Sequence, residues 1–132
     1  MRKTEKIYSE HAPKAIGPYS QGIKAGEYVF VSGQLPIDPK TDQLISGDIE
    51  AMTHKVIDHL EAILASAHLT LEHVVKTDVF LKDLAQFPAF NRTYGERFNH
   101  SPPPARQTIQ VAKLPLDSPI EISCIAYRPK NH

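Results

Sequence analysis

The chain has little with which to lock itself together. It holds one cysteine, Cys124, no tryptophan and only six glycines in 132 residues. A lone thiol excludes an intrachain disulfide and fits a reducing compartment. Charge of one sign is lacking too. Fifteen Lys and Arg balance fifteen Asp and Glu, for a formal net charge of zero. That removes the electrostatic signature of a nucleic-acid or anionic-membrane binder, so neither is expected as a main partner. No apolar run approaches the length of a bilayer span, and the opening MRKTEKIYSEHAPK has no signal-peptide core. A soluble, cytoplasmic protein is expected. The seven histidines form no HxxxH pair, and there is no glycine-rich phosphate loop or nucleophile elbow. Neither a metal nor a cofactor is expected.

What is present is ordinary for a globular protein: 41% apolar and 23% charged residues. The length predicts a single domain over 1–132. The eleven prolines fall between periodic segments as punctuation, and no internal repeat interrupts them.

EYVFVSG (27–33) reads as a strand ending at Gly33, and QLPIDPKTDQ after it reads as turns. Asp48 is a plausible N-cap for a long helix. Ile49, Met52, Val56, Ile57, Leu60, Ile63, Leu64 and Ala67 recur behind it at helical spacing. HVVKTDVFLKD (73–83) is predicted as a strand with Val75, Thr77, Val79 and Leu81 on one side. A second helix is predicted over 87–98, with Pro88 in its first turn and Phe87, Phe90, Asn91, Tyr94 and Phe98 in one stripe. RQTIQVAKL and PIEISCIAYR close the chain, and the short PLDSP between them predicts an antiparallel hairpin. The order β-β-α-β-α-β-β predicts an α+β fold, a mixed β-sheet with two helices packed on one face. Its other face then needs cover, which self-association supplies most simply.

Two residues stand out chemically. Arg106 follows three prolines that make the approach stiff, and alternation puts it with Thr108 and Gln110 on one strand face. A guanidinium at a strand's entry suits bidentate capture of a carboxylate, and a solvated strand face accounts for it equally well. Glu121 shares a face with Ser123 and Ile125, opposite Ile120, Ile122 and Cys124. It is either a general base orienting water or a polar residue on a wet face. Ser32 and Gly33 would let a ligand approach the backbone, or simply end a strand. Tyr19 is a pocket wall or an interface tyrosine. Asn91 is a ligand contact or a structural polar group needing a partner. Cys124, among isoleucines, reads as buried filler.

Taken together, APKAIGPYSQ, VSGQLPIDPKTD, VVKTDVFLKDL, PPARQTIQVAKLP and IEISCIAYR closely resemble the RidA (YjgF) family of imine and enamine deaminases, in order and over nearly the whole chain. The resemblance implies a chorismate-mutase-like fold and a homotrimer with clefts between subunits. It also implies hydrolysis of unstable 2-imino acids, such as 2-iminopropanoate and 2-iminobutanoate, to 2-keto acids and ammonia, without a cofactor. By the same resemblance Arg106 anchors the substrate carboxylate and Glu121 orients the attacking water. Tyr19, Ser32, Gly33, Asn91 and Thr108 occupy substrate-binding positions. Thr108 and Ser123 stand where many such deaminases carry Cys and Glu. Asp42 replaces a turn glycine, and the loop NHSPPPAR is shorter than usual. A non-catalytic module binding a small carboxylate such as a 2-keto acid in the same cleft is the alternative. The ribonuclease or translation-inhibitor role attached to the family sits poorly with zero net charge.

Overall fold

The computed structural model describes residues 3–130. Helix α1 (Ile49–Ala65) begins where expected. The Asp48 carboxylate accepts a 2.9 Å hydrogen bond from the Ala51 amide, and Glu50 complements the positive end of the helix. Its buried stripe runs through Ile49, Val56, Ile57, Leu60, Ile63 and Leu64. The helix ends in a reversal at His68, whose φ of 61° takes the left-handed place usually given to glycine, while the Leu69 amide donates back to Leu64. Helix α2 (Phe87–Arg97) carries Pro88 in its first turn, where no amide donor is lost. Both helices pack on one face of the sheet, sharing a single apolar cluster with it.

Strands β1 (Thr4–Ile7), β2 (Gly22–Ala25), β3 (Tyr28–Gln34), β6 (Val74–Leu81), β7 (Ala105–Gln110) and β8 (Ile120–Tyr127) form one six-stranded sheet in the order β1-β2-β3-β8-β6-β7. The β6–β7 pair is parallel and the others are antiparallel, so the sheet is mixed as predicted. Among the described residues no helix is long and apolar enough to cross a membrane.

Three expectations need correction. The two closing strands do not form a hairpin: β7 lies parallel to β6 at the sheet edge, and β8 inserts between β3 and β6. Burial explains the exchange. Ile120, Ile122, Cys124 and Ala126 of β8 are all buried and need two neighbours, whereas β7 has no buried residue and tolerates an edge. Val75 does not share the buried face of Thr77, Val79 and Leu81; the register slips between Val74 and Lys76, leaving Val74 buried and Val75 exposed. Finally, the first half of the chain holds more strands than expected. β1 and β2 extend the sheet, and within QLPIDPKTDQL strands β4 (Ile37–Asp38) and β5 (Gln43–Leu44) pair as a small hairpin turned at Asp42, φ 61°.

That small hairpin is fastened to α1 by His59. The imidazole is buried, with Nε2 2.6 Å from the Ile37 carbonyl oxygen, so it donates there. Burial holds His59 below its ordinary pKa, which keeps it neutral. A second buried bond joins sheet to α2: the Thr77 and Tyr94 hydroxyls lie 2.8 Å apart, and Tyr94 stacks on Phe98 at 4.6 Å. Removing either hydroxyl strands the other. Thr77→Val and Tyr94→Phe should each cost about 1–3 kcal/mol in denaturant unfolding, and the double variant less than the sum of the two. Strict additivity would mean the pair is not coupled.

Candidate active site

The centre of the cleft is a carboxylate laid over a glycine. Residue alternation along β8 sends Ile120 and Ile122 to the helices and Glu121 to the opposite, open face. Next to it, β3 carries one extra residue: Val31 pairs with Cys124 and Gln34 with Ile122, so Ser32 and Gly33 form a bulge. Gly33 leaves room for that carboxylate. A Cβ there would collide with the Glu121 carboxylate, which occupies the volume a side chain would fill. The half-buried carboxylate is pushed above its ordinary pKa by loss of water around it.

Ser32 turns its hydroxyl to the Ser20 carbonyl at 2.6 Å and donates its amide to Gln21, tying the bulge to the preceding loop. In that loop Gly17, at φ 129°, makes the turn that brings Tyr19 round, and the Tyr19 hydroxyl accepts from the Ile16 amide at 3.3 Å. Tyr19, Ser32, Gly33 and Glu121 thus line one cleft of about 620 Å³, well within the range of small-ligand sites. Sequence reasoning missed Gln21. It is buried and accepts from the Ser9 amide at 2.7 Å, while its side-chain nitrogen donates to the carbonyls of Ser9 and Pro13. A lone loop glutamine has no periodic signature, so only its place in the APKAIGPYSQ segment pointed to it.

Arg106 lies elsewhere. Its guanidinium rests on α2 aromatic rings, 4.8 Å from the Tyr94 centroid and 5.5 Å from that of Phe87. One amine donates to the Asn91 side-chain oxygen at 2.7 Å. Asn91 therefore holds the arginine's orientation, and the aromatic stripe read as core doubles as its shelf. Thr108, two residues on, shares this side; its hydroxyl oxygen is buried and has no hydrogen-bond partner among the described residues.

Within one chain these two halves do not meet. Arg106 pairs with Thr77, and Glu121 with Phe80, on opposite sides of β6. Strand spacings put their Cα atoms about 14 Å apart, and their side chains leave opposite faces of the sheet. The structure brings together Tyr19, Ser32, Gly33 and Glu121 in one place, and Arg106, Asn91 and Thr108 in another. Among the described residues no three His, Cys, Asp or Glu side chains cluster as a metal ion would need. Burial pushes the Cys124 thiol up to about 12, which makes it inert as a nucleophile.

A sequence-family model described as Endoribonuclease L-PSP matches residues 9–128. The chain is 48% identical over 124 residues to a RutC family protein of Pyrococcus horikoshii, covering 94% of this chain and 98% of that one. It is 43% identical over 130 residues to the 2-iminobutanoate/2-iminopropanoate deaminase of Escherichia coli, covering 97% and 99%. The fold matches the crystal structure of the yjgF gene product of Escherichia coli with a TM-score of 0.88 at 42% identity, over 95% of this chain and 99% of that one.

The buried carboxylate has a thermodynamic signature. Because Glu121 sits above its ordinary 4.5, the folded chain holds that proton more tightly than the unfolded chain does. Its contribution to stability is full below the unfolded value and falls as pH rises through the raised one. Glu121→Gln should therefore melt above wild type at about pH 7, with the gap closing near pH 4. A gap that widens on acidification would reverse the assignment.

Proposed function

The chain belongs to the RidA (YjgF) family, and from that premise we propose that it hydrolyses reactive 2-imino and enamine acids, 2-iminopropanoate and 2-iminobutanoate among them, to 2-keto acids and ammonia. The observation that carries this reading is the half-buried Glu121 carboxylate, given its space by Gly33 and raised in basicity by desolvation. A base whose pKa moves toward the working pH is suited to accept a proton from water. A 2-imino acid offers an electrophilic C=N carbon beside a carboxylate. Arg106 anchors that carboxylate through the amines that Asn91 leaves free. Glu121 orients a water toward the carbon and takes its proton as the C–O bond forms. The proton then passes to nitrogen, and the carbinolamine loses ammonia to leave the 2-keto acid. Positioning supplies most of the acceleration, since the reaction also proceeds in free water.

For Arg106 and Glu121 to act on one molecule they must come from different copies. Two observations support a homotrimer with shared clefts. The halves of the site lie on opposite faces of the sheet, and the open face bears exposed Tyr28, Phe30 and Ile109 that none of the described residues covers. A module that only bound a carboxylate would use Arg106 and have no need of a desolvated base. A cytoplasmic setting belongs to the same reading, supported by the single cysteine.

The test couples a serine- or threonine-eliminating enzyme to this protein and follows loss of the imine. Arg106→Ala and Glu121→Gln should each lower kcat/KM by at least about 100-fold. Mixed and reassembled in equal amounts, the two inactive variants should recover about a quarter of wild-type activity, because some clefts receive both intact residues. No recovery would mean that the two residues act from the same copy. Gly33→Ala should fold yet lose turnover, since its methyl group displaces the carboxylate. The wild-type rate should rise with pH through a value above 4.5, the ordinary pKa of Glu121.

A further inference from the structure

The cleft is larger than its simplest substrate and mostly apolar. One chain's share of the cleft, before a second copy adds Arg106, is about 620 Å³, against the roughly six non-hydrogen atoms of 2-iminopropanoate. Around Glu121 the walls are Pro13, Ile16, Leu35, Ile37 and Leu116. Its polar lining is confined to the bulge with Gln34 and Glu121 and to Lys14, Tyr19 and Gln21 of the N-terminal loop, so the wall that Leu116, Ile37 and Leu35 supply is fitted to hydrocarbon.

Leu116 is the unusual wall. It lies in the left-handed region, φ 57° and ψ 19°, and Asp117 follows at φ 56°. A leucine has no intrinsic preference for that conformation. Its neighbours impose it. The Asp117 amide donates to the Leu114 carbonyl at 3.0 Å and the Ser118 amide to Pro115 at 3.1 Å. Lys82 pairs with Asp117 at 2.7 Å, and the fully buried Ser118 hydroxyl donates to the Ile120 carbonyl at 2.8 Å. The Leu116 side chain contributes nothing to this lock, since it is 59% exposed. Strain over-determined by surrounding bonds, at a side chain without a packing role, marks a functional position. The next strand residue to enter the cleft is Glu121 itself.

We propose that Leu116 sets the substrate preference of this site, favouring 2-imino acids with branched or long aliphatic side chains over the three-carbon compound. The substrate carboxylate and imine carbon are held between Arg106 and Glu121, and the aliphatic chain lies against Leu116, Ile16 and Ile37. This rests on the deaminase reading above and refines it.

The experiment generates two imines in situ with an amino-acid oxidase and catalase, one from leucine and one from alanine. Each is followed by semicarbazide trapping with and without the protein. Wild type should show a kcat/KM at least about tenfold higher on the leucine-derived imine, the scale that a few methylenes provide in an apolar pocket. Leu116→Gly should reduce that ratio about tenfold and Leu116→Lys at least as far. Leu116→Gly should also melt no lower than wild type, because glycine is at ease at φ 57°. An unchanged ratio in both variants, or a wild type indifferent to side-chain size, overturns the proposal while leaving deamination intact. Failure to speed loss of either imine overturns the deaminase reading beneath it.

Discussion

The alternation of β8 is the constraint on which the rest depends. Every second residue, from Ile120 to Ala126, is buried against the helices and adjoining strands. The intervening Glu121, Ser123, Ile125 and Tyr127 are thereby committed to the open face. A one-residue slip would bury Glu121 beneath α1 and expose two isoleucines, which the core could not survive. The place of the carboxylate is thus fixed by hydrophobic burial of its neighbours and needs no hydrogen bond of its own.

The same geometry accounts for the bulge. A regular β3 would set a side chain against Glu121; an extra residue with no Cβ leaves a slot for the carboxylate instead. The slot is walled by segments that are each tied down separately. Ser32 is bonded to Ser20, Gln21 gathers the N-terminal loop, and neutral His59 holds the Ile37 hairpin to α1. Desolvating a carboxylate costs stability, and these independent ties keep the cleft from relaxing around it.

Features written in local periodicity were legible in the sequence. The α1 stripe with its Asp48 cap, the Phe90–Tyr94–Phe98 row and the two faces of β8 follow from spacing alone. Strand order did not. PLDSP is short enough for a hairpin, and only the competition between a fully buried β8 and an exposed β7 for the sheet centre decides otherwise. The Val74–Lys76 slip was equally invisible, since alternation assumes a regular ladder. For the site, family resemblance named the residues but not their distribution. That Arg106 and Glu121 leave opposite faces depends on the crossover through α2, a property of topology rather than of any motif.

This distribution bears on how the two groups keep their states. Arg106 rests on aromatic rings with one amine satisfied by Asn91, so its charge is oriented before any anion arrives. Glu121 is raised by burial alone, with no opposing charge among the causes of its shift. Had the sheet placed the guanidinium beside it, the carboxylate would drop below its ordinary range and lose basicity. Separation within the chain thus keeps the guanidinium oriented and the carboxylate basic, as the proposed reaction requires of them. In the proposed deaminase, a substrate carboxylate between the two groups at a subunit interface would neutralise Arg106 while Glu121 stayed a strong base.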